Sequence, residues 1–333
     1  MMRRDTQLQG DRWHEREQQR RSELTHLLVG RASVFLVVAV VAVLCLLVSE
    51  RIGYSAGSLP IGDPSSKKST AWISNNDPAN PIPQQPMAIA LLRRGDVLVA
   101  DTGLAQVHRF GPDGRLRRSY SGSGQLRYPV GLAVSEDDRV WVADLWQQRV
   151  YRLDLDHDEV AALSPNAPDY RLPGSLAYQN GRLYVGDFGR QQVLVLTLSG
   201  ELVRVIGAGP GRAPEQLAYP NGLWIGPDAE VFVSDTNNRR IQVFDAEGRL
   251  QRVLQPRNLQ LPRGIVADSQ GRLYVADTLA HEVAVLDRNG VEIARHGSDE
   301  DLGFPNGLAI RDRRLYVADR ANSRVVVWEL GRD

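Results

Sequence analysis

The sequence is poor in cysteine and carries no excess charge, and each of these features argues against a class of protein. Its one cysteine, Cys45, cannot form a disulfide within the chain. Its 40 basic and 40 acidic side chains give a formal net charge of zero, which argues against binding of nucleic acid through phosphate contacts. We therefore expect neither a disulfide framework nor a nucleic-acid partner.

The sequence also lacks common signatures of metal and phosphate sites. It contains no Walker loop, and its histidines are scattered instead of being spaced as metal ligands. The six histidines are His14, His26, His108, His157, His281 and His296. We therefore expect no metal site and assign no catalytic residue.

One uncharged run of 18 residues, 32–49, lies near the N-terminus. As a helix it would be about 27 Å long, close to the ~30 Å thickness of the hydrocarbon core, and it predicts a single transmembrane helix. A cleaved signal peptide is the alternative, although its apolar region is normally about 7 to 15 residues long.

The charges beside this run predict its orientation. Residues 1–31 contain seven arginines, which favours a cytoplasmic tail and places everything after the span outside the cytoplasm. Residues 50–69 are expected to be a linker. The exported part has no Asn-x-Ser/Thr acceptor, which favours a bacterial protein. We expect a single-pass protein of the bacterial inner membrane, with its main domain in the periplasm.

Six copies of one pattern fill the rest of the sequence. Each copy has a proline, a short apolar strand and then a second apolar strand that ends in aspartate. The copies start at Pro86, Pro129, Pro173, Pro220, Pro262 and Pro305, and their second strands end at Asp101, Asp144, Asp187, Asp235, Asp277 and Asp319. A period of about 40 to 50 residues built from short strands is typical of propeller blades. The sequence therefore predicts an all-β, six-bladed β-propeller over 70–330.

The sixth copy stops after its third strand, which would leave one blade with an exposed edge. Residues 70–74 form the one spare strand-like segment, and Ile73 precedes Pro86 by about as many residues as Ile206 precedes Pro220. We therefore expect this segment to complete the last blade and close the ring, with Trp72 and Ile73 buried.

The repeats resemble the NHL family, most clearly at 219–223 (Tyr-Pro-Asn-Gly-Leu), 233–244 and 315–325. The resemblance covers 70–330 and implies the propeller fold. Its implication for activity is broader, because NHL relatives include sensor domains of membrane kinases, protein or RNA binders, and amidating lyases.

The residue after each starting proline is expected to face the mouth of the central channel. These residues are Met87, Val130, Gly174, Asn221, Arg263 and Asn306. The amidating lyases bind zinc through histidines at this position, and no copy has one here. Calcium-dependent lactonase propellers place an acidic residue and several asparagines around the channel. Here Asn221 and Asn306 would supply two such oxygens, but no acidic residue accompanies them.

The same face of the propeller is expected to carry arginine and aromatic side chains, which dominate binding hot spots. The predicted binding residues are Asn221, Arg263, Asn306, Arg320, Trp146, Phe188 and Arg239. We expect a binding or scaffold protein that recognises a protein, peptide or glycan, without a cofactor and without a catalytic role. The alternative is a calcium-dependent lactonase or esterase-like enzyme, for which calcium would be the cofactor.

Overall fold

The computed structural model describes residues 70–73, 83–163, 170–298 and 301–331. These residues form 24 β-strands and two 3₁₀ turns, and the strands make six four-stranded antiparallel sheets. The prediction of an all-β, six-bladed propeller is confirmed. In the described ranges, no helix is both long and apolar enough to cross a membrane. The predicted tail 1–31, span 32–49 and linker 50–69 lie outside these ranges.

The first three blades follow the chain in order. Blade 1 contains β2 (Pro86–Leu91), β3 (Val97–Asp101), β4 (Gln106–Phe110) and β5 (Leu116–Tyr120). Blade 2 contains β6 (Pro129–Val134), β7 (Val140–Asp144), β8 (Arg149–Asp154) and β9 (Glu159–Ala162). Blade 3 contains β10 (Pro173–Gln179), β11 (Arg182–Asp187), β12 (Gln192–Thr197) and β13 (Leu202–Ile206).

The next two blades repeat this order, and the last one does not. Blade 4 contains β14 (Pro220–Ile225), β15 (Val231–Asp235), β16 (Arg240–Phe244) and β17 (Leu250–Leu254). Blade 5 contains β18 (Pro262–Ala267), β19 (Leu273–Asp277), β20 (Glu282–Leu286) and β21 (Glu292–His296). Blade 6 contains β22 (Pro305–Arg311), β23 (Arg314–Asp319), β24 (Arg324–Glu329) and, as its outer strand, β1 (Thr70–Ile73).

The start of the propeller domain supplies the missing strand of blade 6. Strand β1 pairs antiparallel with β24, with Ala71 opposite Val326 and Ile73 opposite Val325. The side chain of Ile73 is only 1% exposed and belongs to the apolar cluster between blades 6 and 1. Of the predicted strand over 70–74, the structure describes Thr70–Ile73, and Ser74 lies outside the described residues. The side chain of Trp72 lies outside what the structure describes.

Apolar contacts between neighbouring blades hold the described ring together. A buried apolar cluster lies between each pair of adjacent blades, including the last and the first. The central strands β3, β7, β15 and β19 are buried along their whole length because both of their faces are covered. Their consecutive apolar residues predict this burial.

In blades 2, 4, 5 and 6 the second residue after the starting proline is glycine, and this glycine allows the inner strands to approach each other closely. A Cβ atom on Gly222 would lie 1.9 Å from the carbonyl oxygen of Arg263 in the next blade, and one on Gly264 would lie 2.3 Å from that of Asn306. A larger residue would clash with the neighbouring backbone. The glycine therefore sets the distance between blades at the point where the channel residues lie.

Candidate functional site

The register of the strands places all the predicted binding residues at one end of the propeller. Pro129 pairs with Asp144 and Pro220 pairs with Asp235, so each inner strand starts where the neighbouring central strand ends. The predicted residues either follow these prolines or lie in the loops after these aspartates. We call this end the Pro-Asp face.

The six aspartates at the ends of the central strands hold the loops of this face. Asp187 accepts hydrogen bonds from the backbone amides of Arg171 (2.9 Å) and Leu172 (3.0 Å) in the preceding connector, and from those of Gly189 and Arg190 in the following loop. Because all six aspartates are fully buried, these bonds make them architectural residues.

Different strands supply the side-chain partners of these buried carboxylates. Arg240 lies 2.7 Å from Asp235, and Arg295 lies 3.1 Å from Asp277. In blade 1 the partner is His108, 3.3 Å from Asp101. Burial alone would raise the pKa of Asp101, but hydrogen bonds from the His108 side chain and from the backbone amides of the preceding connector lower it below its ordinary value.

The longest connector, 207–219, joins blades 3 and 4 and rests on a polar network. Arg240 donates hydrogen bonds to the carbonyl oxygens of Ala213 and Gln216, each at 2.9 Å. Gln242, which is fully buried, donates to the same Gln216 oxygen at 2.7 Å. A fully bonded network of this kind holds the connector in one conformation.

Hydrogen bonds orient two of the side chains that follow the starting prolines. The side-chain amide of Asn306 in blade 6 donates a hydrogen bond to the sulfur of Met87 in blade 1, at 3.1 Å. The amide of Asn221 donates to the hydroxyl of Thr236 at 3.2 Å. Arg263 is 9% exposed and Asn306 is 7% exposed, so the polar members of this ring are largely withdrawn from bulk water.

Phe188 takes the channel position that Gly174 leaves open in blade 3. A Cβ atom on Gly174 would lie 2.0 Å from the tip of the Phe188 ring, so the aromatic side chain occupies the space of the absent one. The Phe188 ring also packs against Tyr219, with ring centroids 5.9 Å apart. Blades 1 to 3 therefore present Met87, Val130 and Phe188, and blades 4 to 6 present Asn221, Arg263 and Asn306. We call these the apolar half and the polar half of the mouth.

The remaining predicted binding residues lie in loops of three alternating blades. Trp146 is exposed after β7 in blade 2, Arg239 is exposed after β15 in blade 4, and Arg320 is half-buried after β23 in blade 6. Arg239 adopts a left-handed backbone conformation with φ 55°. These three residues share the Pro-Asp face but occupy separate positions around it.

Hydroxyl groups that link the blades near the mouth are a feature that the sequence reasoning missed. Thr278 donates a hydrogen bond to the carbonyl oxygen of Pro305 at 2.7 Å, and Ser175 donates to that of Pro220 at 2.8 Å. Thr236 likewise donates to the carbonyl oxygen of Pro262 in blade 5, at 2.6 Å. The signal in the sequence is the threonine that directly follows aspartate in blades 4 and 5, although Thr102, at the same place in blade 1, donates to the carbonyl oxygen of Gln85 and links no blades.

The ring does not fit the calcium ion that the lactonase alternative requires. Calcium prefers several oxygen ligands that include carboxylates. Here Arg263 lies at the start of the inner strand of blade 5, between the strands of Asn221 in blade 4 and Asn306 in blade 6, and its positive charge opposes a cation at this end. No group of three or more histidine, cysteine, aspartate or glutamate side chains is arranged to hold a metal within the described ranges.

Relatives share the fold at low identity. The chain is 23% identical over 289 residues to Protein SUPPRESSOR OF QUENCHING 1, chloroplastic, of Arabidopsis thaliana, covering 69% of this chain and 27% of that protein. The structure of the present chain is similar to that of XC5397, a gluconolactonase from Xanthomonas campestris. The TM-score is 0.63 at 17% identity, and the match covers 80% of this chain and 98% of XC5397. It is also similar to the structure of virginiamycin B lyase from Staphylococcus aureus, with a TM-score of 0.57 at 14% identity. That match covers 74% of this chain and 80% of the lyase chain.

Family models cover most of the propeller. The NHL repeat model matches residues 302–328, in agreement with the resemblance noted in the sequence. The model described as SMP-30/Gluconolactonase/LRE-like region matches residues 92–298, which is more than half of the chain. The chain therefore belongs to the SMP-30/gluconolactonase/LRE-like family.

Proposed function

We propose that this chain is a binding protein that uses the Pro-Asp face of its propeller to recognise a protein, peptide or glycan partner. The observation that carries the proposal is the placement of Arg263 in the channel ring between Asn221 and Asn306. A buried guanidinium favours an anionic or carbonyl-bearing group, and it disfavours a metal ion at the same point.

The second candidate function is a calcium-dependent lactonase or esterase-like hydrolase. Membership of a family named after gluconolactonase and the similarity to a gluconolactonase structure favour it. The ring residues Asn221 and Asn306 would supply two of the oxygen ligands. Residues 53–57 read Gly-Tyr-Ser-Ala-Gly, a Gly-x-Ser-x-Gly pattern that lies outside the described residues.

Calcium binding by the purified full-length protein separates the two functions. Isothermal titration with calcium chloride, after removal of bound metal, is expected to give no heat from a specific site, and γ- and δ-lactones are expected to remain unhydrolysed. One calcium per chain, together with lactone hydrolysis that a chelator abolishes, would contradict the binding function and support the hydrolase.

We also propose that the propeller is exported and anchored in a bacterial inner membrane by residues 32–49. This proposal is supported by the uncharged run and by the arginine-rich tail before it. Alkaline phosphatase fused to the C-terminus should be active, because that enzyme requires an oxidising compartment. Activity of a cytoplasmic reporter alone at the same position would overturn the topology.

A further inference from the structure

We infer that the end of the propeller opposite the Pro-Asp face docks on an anionic phospholipid surface through arginines of blades 6 and 1. The inference rests on the membrane anchor proposed above and names the part of the propeller that meets the bilayer. Three observations support it: the charge of two neighbouring turns, the backbone of one of these turns, and the point at which the chain enters the ring.

The turn between the first two strands of blade 1 presents two arginines to solvent. Arg93 and Arg94 are exposed, and no carboxylate within the described ranges pairs with their side chains. Asp96, at the end of the same turn, is already paired with Arg109 at 2.6 Å. The charges of Arg93 and Arg94 therefore face the solvent without a counter-charge from this turn.

The same turn of blade 6 adds two further guanidinium groups. Arg311 donates a hydrogen bond to the carbonyl oxygen of Leu91 at 3.2 Å and another to that of Leu92, so it reaches the turn of blade 1. Arg313, which is exposed, donates to the carbonyl oxygen of Leu330 at 2.5 Å. Carbonyl acceptors are neutral, so both positive charges add to those of blade 1. We call Arg93, Arg94, Arg311 and Arg313 the basic patch.

The backbone at Arg313 is one that arginine does not favour. Asp312 and Arg313 both have positive φ, 48° and 64°, as a two-residue type I′ hairpin turn requires. The same turn of blade 3 is Asn180-Gly181, the pair that this geometry prefers, with φ of 48° and 72°. Because a left-handed arginine costs free energy, its presence here points to a role for its side chain outside the turn.

Positive charge is a local feature of this end of the propeller. The turns 92–96 and 311–314 together contain five arginines and two aspartates. The equivalent turn of blade 2, 135–139, contains three acidic residues and one arginine, and that of blade 4, 226–230, contains two acidic residues and no basic one. The basic patch is therefore confined to one sector of the ring. Guanidinium groups form bidentate hydrogen bonds with phosphate, the charged group of a phospholipid surface.

The chain enters the propeller from the same end. Strand β1 pairs antiparallel with β24, so it starts on the side of blade 6 where Glu329 lies opposite Arg314. The segment 50–69 connects this point to the run 32–49, which is proposed to span the membrane. Such a tether makes docking intramolecular, so a modest attraction to the lipid suffices. The Pro-Asp face then points away from the bilayer, towards its partner.

Energy transfer from the tryptophans of the full-length protein to a dansyl-labelled lipid measures the docking. The protein should be reconstituted in nanodiscs of phosphatidylcholine and in nanodiscs of equal parts phosphatidylcholine and phosphatidylglycerol, each with a trace of the labelled lipid. We expect stronger transfer in the anionic discs. The difference should vanish at about 1 M salt, where the Debye length is about 3 Å.

Variants locate the docking surface. Arg93→Gln/Arg94→Gln should lower the ratio of docked to undocked protein in the anionic discs by about fivefold for each arginine removed. Arg313→Gly should lower it by a similar factor and keep the turn, because glycine adopts positive φ without strain. Arg212→Gln/Arg257→Gln is the matched control, because both arginines are exposed in connectors of the Pro-Asp face, and it should have no effect.

The outcomes separate this inference from the anchor on which it rests. Equal transfer in both kinds of disc, with the protein retained in both, would overturn the docking surface and leave the anchor standing. Transfer that depends on phosphatidylglycerol but persists in the folded Arg93/Arg94 and Arg313 variants would overturn the site. Release of the protein from both kinds of disc would overturn the anchor and this inference with it. Binding of polyglutamate that the same variants abolish, without stronger transfer in anionic discs, would identify an acidic protein partner instead of a lipid.

Discussion

Thr236 donates its hydroxyl hydrogen to the carbonyl oxygen of Pro262, 2.6 Å away, and so ties blade 4 to blade 5 at the edge of the channel. The same hydroxyl accepts a hydrogen bond from the amide of Asn221. One buried threonine thus orients a channel residue and fixes the distance to the next blade. Preorganisation of this kind lowers the conformational entropy that the site itself loses when a ligand binds.

The close approach of the inner strands predicts a large cost for a single added methyl group. In Gly222→Ala, the new Cβ atom would lie 1.9 Å from the carbonyl oxygen of Arg263, so the two strands must separate. We expect a loss of about 1–3 kcal/mol in the free energy of unfolding. Gly226→Ala is the matched control, because its nearest neighbour would lie at 3.5 Å, an ordinary contact. Equal chemical denaturation curves for the two variants would contradict this account.

Because β1 closes the ring, we expect the side chain of Ile73 to contribute to the stability of the propeller. Ile73→Ala should lower the free energy of unfolding by about 2–5 kcal/mol, because this 1% exposed side chain fills the core between blades 6 and 1. Leu202→Ala alters an outer strand at a 48% exposed position and should change it by no more than about 0.5 kcal/mol. Thermal and denaturant unfolding of both variants test the prediction. It fails if the Ile73 variant is as stable as the Leu202 variant.

The strand order and the placement of the channel residues could be predicted from the sequence, because both depend on a pattern repeated in every blade. Proline and aspartate mark the same end of each sheet, so Asn221, Arg263 and Asn306 follow from position alone. The contribution of Phe188 could not be predicted in this way. It depends on the absence of a side chain at Gly174, 14 residues earlier, and on the path of the loop after Asp187.

The partners of the buried aspartates were unpredictable for a related reason. Asp235 is paired by Arg240 at the start of β16, whereas Asp277 is paired by Arg295 in the outer strand β21. Blade 6 repeats the arrangement of blade 4, with Arg324 five residues after Asp319, whereas blades 1 and 5 use His108 and Arg295 at other spacings. No single spacing therefore marks the partner in every blade. Only the packed structure identifies it.

Loss of one of these buried carboxylates should destabilise the protein strongly. Asp235→Ala would leave Arg240 without its 2.7 Å partner and would free the amide of Ala218 and the side chain of Asn238. Removing one member of a buried ion pair typically costs about 3–5 kcal/mol. Asp113→Ala removes the exposed partner of Arg117 and should leave the melting temperature close to that of the unmodified protein. A similar small change in both variants would show that Asp235 is not structurally required.

An exposed pair in blade 2 predicts a histidine that titrates above its usual range. His157 and Asp154 lie 3.1 Å apart, and this hydrogen bond is the main cause that raises the pKa of His157 above its ordinary 6.5 and lowers the pKa of Asp154 to about 2. A raised histidine pKa stabilises the fold below about pH 6.5, and that contribution is lost as the pH rises through the folded-state pKa. In Asp154→Asn, the NMR titration midpoint of the His157 ring should fall towards 6.5. Asp156→Asn, which removes only a weaker charge effect, should lower it less. The assignment is wrong if Asp154→Asn leaves the midpoint unchanged, or if added salt leaves the elevated midpoint of the unmodified protein unaffected.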